Sequence, residues 1–156
     1  MRDLTPTEQR AIEQLGVAFR GVKHGLWTGG RINAAPSRHD KIAELREKSE
    51  GAWSAEEIDW LYFKAATTVG DDETVKYVFV RFVEILLRDA IVGSVSAGIL
   101  ASKLDYAHFE TWPDAQRKAV LNALEALAAY WTTLGFWDEL GLAEVNQFIA
   151  RHGRAE

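Results

Sequence analysis

The stretch Glu73-Thr-Val-Lys-Tyr-Val-Phe-Val-Arg-Phe-Val-Glu-Ile-Leu-Leu-Arg-Asp89 decides the fold. Its residues Val75, Val78, Phe79, Phe82, Val83, Ile85, Leu86 and Leu87 wrap most of a helical circumference. A helix apolar on nearly every side belongs at the centre of a fold, because any face left outside would hold large side chains in water. Val and Phe also favour strands, so a strand over Tyr77–Val83 is the competing reading; the length of the run argues for helix. Asp71 and Asp72 start this central helix after Gly70.

Helices are expected on both flanks. Thr5-Pro6-Thr7-Glu8 puts Thr at N-cap, Pro at the first helical position and Glu at N3, a capping box that satisfies orphan amides from both sides. Ile12, Leu15 and Phe19 then form one apolar face, and Gly21 to Pro36 reads as a loop. Ser37 with Asp40 opens a second helix whose thin stripe, Ile42 and Leu45, places it on the surface until Gly51 ends it. Ser54-Ala55-Glu56-Glu57 is another capping box, opening a helix with Ile58, Leu61, Tyr62 and Ala65 that stops near Gly70.

Beyond the central helix, Ser94 or Ser96 opens a short helix ending near Leu104. Thr111-Trp112-Pro113-Asp114 opens a long one, in which Val120, Leu124, Leu127, Trp131 and Leu134 alternate spacings of four and three until Gly135. A last helix carries Leu142, Val145, Phe148 and Ile149, with a polar tail expected to fray from Arg151. The fold class is therefore all-α, one domain over 1–156, an irregular bundle or short helical-pair array of six to seven helices around the central helix and the Pro113 helix. Pro6-x-x-Gln9-Arg10 is echoed by Pro113-x-x-Gln116-Arg117, as an array of helix pairs would produce, although good capping sequences also resemble one another.

The central helix carries one polar stripe. At about 100° per residue, Tyr77, Arg81, Glu84 and Arg88 fall in a narrow sector, with Arg81 three residues from Glu84 and Arg88 four beyond it, so both pairs can bridge. One reading is a solvated face, where such bridges contribute little. The other is a partly buried network facing a cleft, where a guanidinium can hold a carboxylate or phosphate through two parallel hydrogen bonds. These four, with Trp112 at a helix end, are the candidate ligand- or partner-binding residues. Partial burial is expected, with an intermediate to large stability loss for Glu84→Ala.

Gly70-Asp71 through Lys76, Arg81 and Glu84, followed by Trp112-Pro113, resembles a group of bacterial helical proteins of unknown function. That group has a Gly-Asp turn, an apolar helix with Lys-His-Phe-Leu-Pro-Arg-x-x-Glu-Leu, and a later Trp-Pro. The resemblance spans about half the chain on short motifs. Tyr77 stands where the His would fall and Val80 where the Pro would fall, so any chemistry of that His is lost here. The resemblance implies a helical fold and no activity.

The remaining motifs mostly exclude. Without cysteine there are no disulfides, thiolate metal sites, iron-sulfur clusters or cysteine nucleophiles. His24, His39, His108 and His152 are dispersed; Asp105-x-x-His108 is a lone half-motif where a di-metal bundle needs two Glu-x-x-His and two further Glu, so no metal is expected and His108 reads as a hydrogen-bonded surface or hinge residue. Gly93 to Gly98 has the outer spacing of a phosphate loop but continues as Ile99-Leu100 rather than Lys-Ser/Thr. Gly29-Gly30-Arg31 could form an anion nest or simply a turn. Ser37-Arg38-His39-Asp40 has the letters of a triad without its geometry. Of the six tryptophans, Trp60 and Trp131 sit at core positions, while Trp27, Trp53, Trp112 and Trp137 lie at loops or helix ends, where a lid, a staple or a partner contact are all open.

A hydrophobic share of 47% with 26% charged residues is that of an ordinary globular domain. The net charge of −5 works against nucleic-acid binding. Met-Arg-Asp-Leu-Thr-Pro lacks an apolar signal region, and Ala90 to Ser102 and Ala126 to Trp137 are too short to span a bilayer, so a cytoplasmic protein off the membrane is expected. The expected function is a non-enzymatic helical protein–protein interaction or regulatory module without a cofactor. A protein or enzyme holding a small anionic ligand in an Arg81/Arg88 cleft is the first alternative, and an acidic toxin-neutralising protein the second.

Overall fold

The computed structural model describes residues 2–22, 45, 53–64, 72–88, 99–135 and 141–153. Among them the chain is helical, with no strand: α1 (Pro6–Ala18), α2 (Ala55–Lys64), α3 (Asp72–Arg88), α4 (Leu100–Tyr106), a 3-10 turn (Phe109–Thr111), α5 (Asp114–Leu134) and α6 (Leu142–His152). The all-α bundle expected from periodicity is what forms, and the strand alternative disappears inside α3. Among the described residues no helix is long and apolar enough to cross a membrane.

α3 is central. It packs on α1, α2 and α5, while α5 packs on α1, α3 and α6. Val75, Phe79, Phe82, Val83, Leu86 and Leu87 on α3 are fully buried against Val120, Leu124, Leu127 and Trp131 on α5 and Leu15 on α1, within one core. Because α1 meets α5 most extensively across a wide sequence gap, the described helices form a bundle rather than a stack of chain neighbours. Tyr62 joins the layers: its ring lies 4.9 Å from that of Phe82 and its hydroxyl donates to the Leu100 carbonyl at 2.7 Å, linking α2 to α4.

Both capping boxes form. Thr5 N–H donates to Glu8 Oε1 at 2.9 Å while Glu8 N–H donates to Thr5 Oγ1 at 3.2 Å. Ser54 and Glu57 repeat the arrangement at 2.9 and 3.1 Å. Gly135 ends α5 at φ 75°, a conformation glycine adopts without steric cost.

Several boundaries differ from expectation. α5 has Pro113 at its N-cap and no side-chain cap, because Thr111 Oγ1 donates instead to the His108 carbonyl at 2.7 Å. α4 runs past Leu104 to Tyr106 from an uncapped start at Ile99. Fraying does not begin at Arg151: α6 stays helical through His152, where Asp105 on α4 accepts from Arg151 at 2.8 Å and pairs with His152 at 3.0 Å, and the His152 ring sits 4.3 Å from that of Phe148; residues 154–156 lie outside the described residues. Trp131 is fully buried as expected, while Trp60 is only partly so. Trp53, read as peripheral, is buried and donates to the Leu45 carbonyl at 3.0 Å, and Leu45, expected on a surface helix, is itself buried in the core. The Ser37 cap, the segment from 23 to 44, Gly29-Gly30-Arg31, the Gly70-Asp71 turn, Ser94, Ser96, Gly93 to Gly98, Trp27 and Trp137 lie outside the described residues.

Candidate functional site

The polar stripe of α3 faces the C-terminal end of α1. Glu73, Lys76, Tyr77, Val80, Arg81 and Glu84 follow one another at alternating spacings of three and one, the pattern of a single helix face. Opposite them stand Gly16, Phe19 and Val22. No atom lies within 4 Å of where a Cβ on Gly16 would be, so this glycine leaves room above the stripe rather than answering a close contact.

Two hollows result. One of about 250 Å³ has Gly16, Phe19 and Val22 on one wall and Tyr77, Val80, Arg81 and Glu84 on the other. A second of about 530 Å³ is bounded by Arg20, Gly21 and Val22, by Glu73 and Lys76, and by Pro113 and Gln116 at the start of α5. Both lie along α3 with Val22 in their walls, and the two together are the α3 groove. From Glu73 to Glu84 that groove runs about 17 Å at ~1.5 Å per residue.

Among the described residues the groove holds three cations, Arg20, Lys76 and Arg81, against the carboxylates Glu73 and Glu84. It is a locally positive strip on a chain of net charge −5. Lys76 is its most constrained member. Only 7% exposed, it holds its ammonium 5.0 Å from the centre of the Trp112 ring and 3.4 Å from Glu73 Oε1. Aromatic-face and carboxylate contacts keep such a charge tolerable in a half-dry setting. Across from it, Gln116 Nε2 donates to the Ala18 carbonyl at 3.4 Å, while its buried Oε1 has no hydrogen-bond partner among the described residues.

Of the expected site residues, Tyr77, Arg81 and Glu84 come together in the first hollow, and all are half-buried. Tyr77 also meets Trp53 edge-on at 6.1 Å. Arg88 lies beyond the groove, its Nε donating to Glu84 Oε2 at 3.2 Å while its carbonyl accepts from Arg2 N–H at 3.1 Å. Trp112 is a core residue, 4% exposed, with its indole N–H on the Ala107 carbonyl at 2.9 Å and its ring against Phe19 and Phe109. Its contribution to the groove is to support Lys76.

Reasoning from sequence missed Glu73, Lys76, Arg20 and Gln116. Continuing the stripe one turn towards the N-terminus would have found Glu73. Lys76 sits about 100° from Tyr77 around the helix, outside the narrow stripe of Tyr77, Arg81, Glu84 and Arg88, and its ammonium lies over the Trp112 ring.

The other polar clusters tie the fold together. Asp105 and His108, read as a half-motif, are divided: Asp105 serves α6, and His108, at φ 62°, places Nδ1 2.8 Å from Asp72 Oδ2 at the start of α3. That hydrogen bond and the charge of Asp72 raise the imidazole pKa above its ordinary value, with Glu110 adding to the effect. Lys103, buried on α4, donates to the Phe63 carbonyl at 2.9 Å; burial, with Lys64 adding repulsion, lowers its pKa from 10.5 to about 8. No group of three or more metal-ligating side chains occurs among the described residues. A further hollow of about 530 Å³ lies between α1 and α5, with Val17, 62% exposed, on its wall.

No known protein family, curated protein or solved structure matches this chain. The groove must therefore be interpreted from its own chemistry.

Proposed function

We propose that the chain is a non-enzymatic binding module that takes an extended segment of a partner protein into the α3 groove. The carrying observation is the composition of that groove: Phe19, Val22 and Val80 supply apolar wall between half-buried charged groups. An apolar centre with a polar rim is the usual anatomy of a protein interface. An extended segment of about five residues, at ~3.3 Å each, matches the groove's length. Side chains already held by a helix lose little freedom on binding, which favours affinity. An adaptor or regulatory role in the cytoplasm, with protein rather than nucleic acid as partner, follows from the same reading and from the chain's acidity.

The test is purification from the native host at endogenous expression with the unaltered protein, Val80→Glu and Val17→Glu, each checked for unchanged helical content. One specific protein held by the unaltered chain and Val17→Glu but lost from Val80→Glu supports the proposal. Equal recovery with all three, or background alone, removes it.

The second reading, a small anionic ligand held by Arg81, is favoured by the surplus of cations in the groove. It requires thermal-shift hits among anionic metabolites that vanish in Arg81→Ala, with Arg88 contributing only through Glu84. A toxin-neutralising role remains a special case of partner binding; a basic toxin would need another face, since this groove is positive.

A further inference from the structure

We propose that the hollow between α1 and α5 seats a second copy of this chain, each copy inserting Val17 into the other about a two-fold axis that runs along the two helices. The α3 groove follows another flank of α1, so partner binding there and pairing of copies here are independent.

The register of the two helices carries the proposal. Asn122 Nδ2 donates to Gln14 Oε1 at 3.1 Å and Gln116 Nε2 donates to the Ala18 carbonyl at 3.4 Å. α1 and α5 therefore run antiparallel, with Val17 level with Lys118 and Arg10 level with Glu125. On α5 the hollow is lined by Ala115, Lys118, Ala119 and Asn122, at spacings of three, one and three. Four residues so spaced are the corners of a hole that receives one side chain from a facing helix. Two corners are alanines, and Ala119, 4% exposed, forms an apolar floor. The centre of this hole is level with Val17, which stands 62% exposed on the neighbouring helix of the same chain. A knob and a hole side by side at one level are self-complementary, as a two-fold interface requires. An axis along the helices lays α1 of each copy over α5 of the other and exchanges the two knobs.

α1 repeats the pattern. Arg10, Glu13, Gln14 and Val17 line the hollow at the same spacings, and the centre of their hole is level with Asn122. The axis that carries a valine into the apolar hole thus carries an amide into the polar one.

Charge agrees with shape. The same axis sets Arg10 of one copy level with Glu125 of the other, and Glu13 of one about a helical turn from Lys118 of the other. All four are exposed, and among the described residues none of them is in an ion pair within its own chain. Local pairs of opposite sign let two chains of net charge −5 meet and fix how they meet. The 13 residues of α1 span about 20 Å, and two helices side by side are about 20 Å across, so the face offers about 400 Å² per copy. That is about half of a standard interface and makes the dimer a weak one.

The experiment is sedimentation equilibrium of the full chain from about 10 μM to about 1 mM in about 0.15 M NaCl, where long-range repulsion between the copies is screened. The unaltered chain should associate to a dimer with a Kd at or below about 0.5 mM, and Val17→Glu, with unchanged helical content, should weaken it at least tenfold, about 1.4 kcal/mol. Glu13→Lys and Lys118→Glu should each weaken association when alone, because each sets like charges against each other twice. An equal mixture of those two variants should associate as tightly as the unaltered chain, since both contacts of the mixed pair are again attractive.

A monomer over the whole range overturns the proposal, as does a dimer no weaker in Val17→Glu. A mixture no tighter than its two components overturns the two-fold arrangement and the proposal with it. A different host protein, retained by a monomeric unaltered chain and lost only from Val17→Glu, would assign the face to that protein instead. The partner-binding reading is untouched by these results; it fails on the loss of distinction between Val80→Glu and Val17→Glu in the host purification.

Discussion

Removing the charge of Glu8 should destabilise the bundle by about 1–2 kcal/mol at neutral pH, the range of a charge-assisted hydrogen bond reduced for partial exposure. Glu8 Oε1 closes the α1 capping box, while Oε2 accepts from Arg2 at 2.7 Å. Its side chain is 9% exposed against 28% for Arg2, whose guanidinium also lies 3.7 Å over the Tyr130 ring. Burial alone would raise the carboxyl pKa. The hydrogen bond from Arg2, those from Thr5 and the charge of Arg2 outweigh burial and hold it below 4.5.

Glu8→Gln keeps an acceptor for the Thr5 amide and loses only the ion pair; Glu8→Ala also loses the cap, for a total of about 2–3 kcal/mol. Because the folded-state pKa is depressed, the stabilisation is present above the unfolded value and is lost as pH falls through the folded one. Urea denaturation should therefore show the gap between unaltered protein and Glu8→Gln near pH 7 and a much smaller gap near pH 3. Glu8→Gln within about 0.3 kcal/mol of the unaltered protein at pH 7, or a gap indifferent to acid, refutes the reasoning.

Three further outcomes are expected. Lys103 titrates near 8 in the fold against 10.5 unfolded; below pH 8 both states are protonated and the burial cost is fully present, so stability should rise between about pH 8 and 10 and stay flat there in Lys103→Met, read by urea denaturation. The His108 ring protons should titrate above 6.5 by NMR and return towards it in Asp72→Asn; the raised value means that stabilisation is present below 6.5 and lost as pH rises through the folded-state pKa. Glu84 and Arg88, with side chains 40% and 31% exposed, should couple by only about 0.3–0.5 kcal/mol in a double-mutant cycle, and a coupling above about 2 kcal/mol would show a desolvated pair.

The helices were legible where local chemistry decides them. Thr5 with Glu8 and Ser54 with Glu57 cap as their letters indicate, and the spacing of Val120, Leu124, Leu127 and Trp131 gives the buried face of α5, because both features depend on residues within one or two turns. What remained hidden depends on distant neighbours. Arg151 looked like a fraying tail until Asp105 stood beside it, and nothing at position 151 signals that carboxylate. Trp112 looked peripheral because it precedes a helix; the fold turns the 3-10 segment inward and sets it against Phe19 from the other end of the chain. The stripe of α3 was visible as a stripe, but whether water or another helix faced it was set by α1, whose partner α5 lies about a hundred residues away.

That intermediate setting bears on how the stripe can evolve and be tested. Were Arg81 and Glu84 wholly buried, each substitution would cost several kcal/mol, and loss of binding could not be told from loss of folding. Half-buried on a helix whose other faces carry the core, they can be changed at a cost between those of surface and buried residues, since Phe79, Phe82, Val83 and Leu86 keep α3 in place without them. Lys76 differs: its ammonium is held by Trp112 and Glu73, so its position is set by the core even though its charge faces the groove. A fixed cation beside adjustable charges is an arrangement in which one contact can be kept while the rest of the surface changes its preference. In the α3 groove the fixed contact is Lys76 and the adjustable ones are Arg81, Glu84 and Arg20, so exchanges among the latter should alter which partner binds before they alter whether the protein folds.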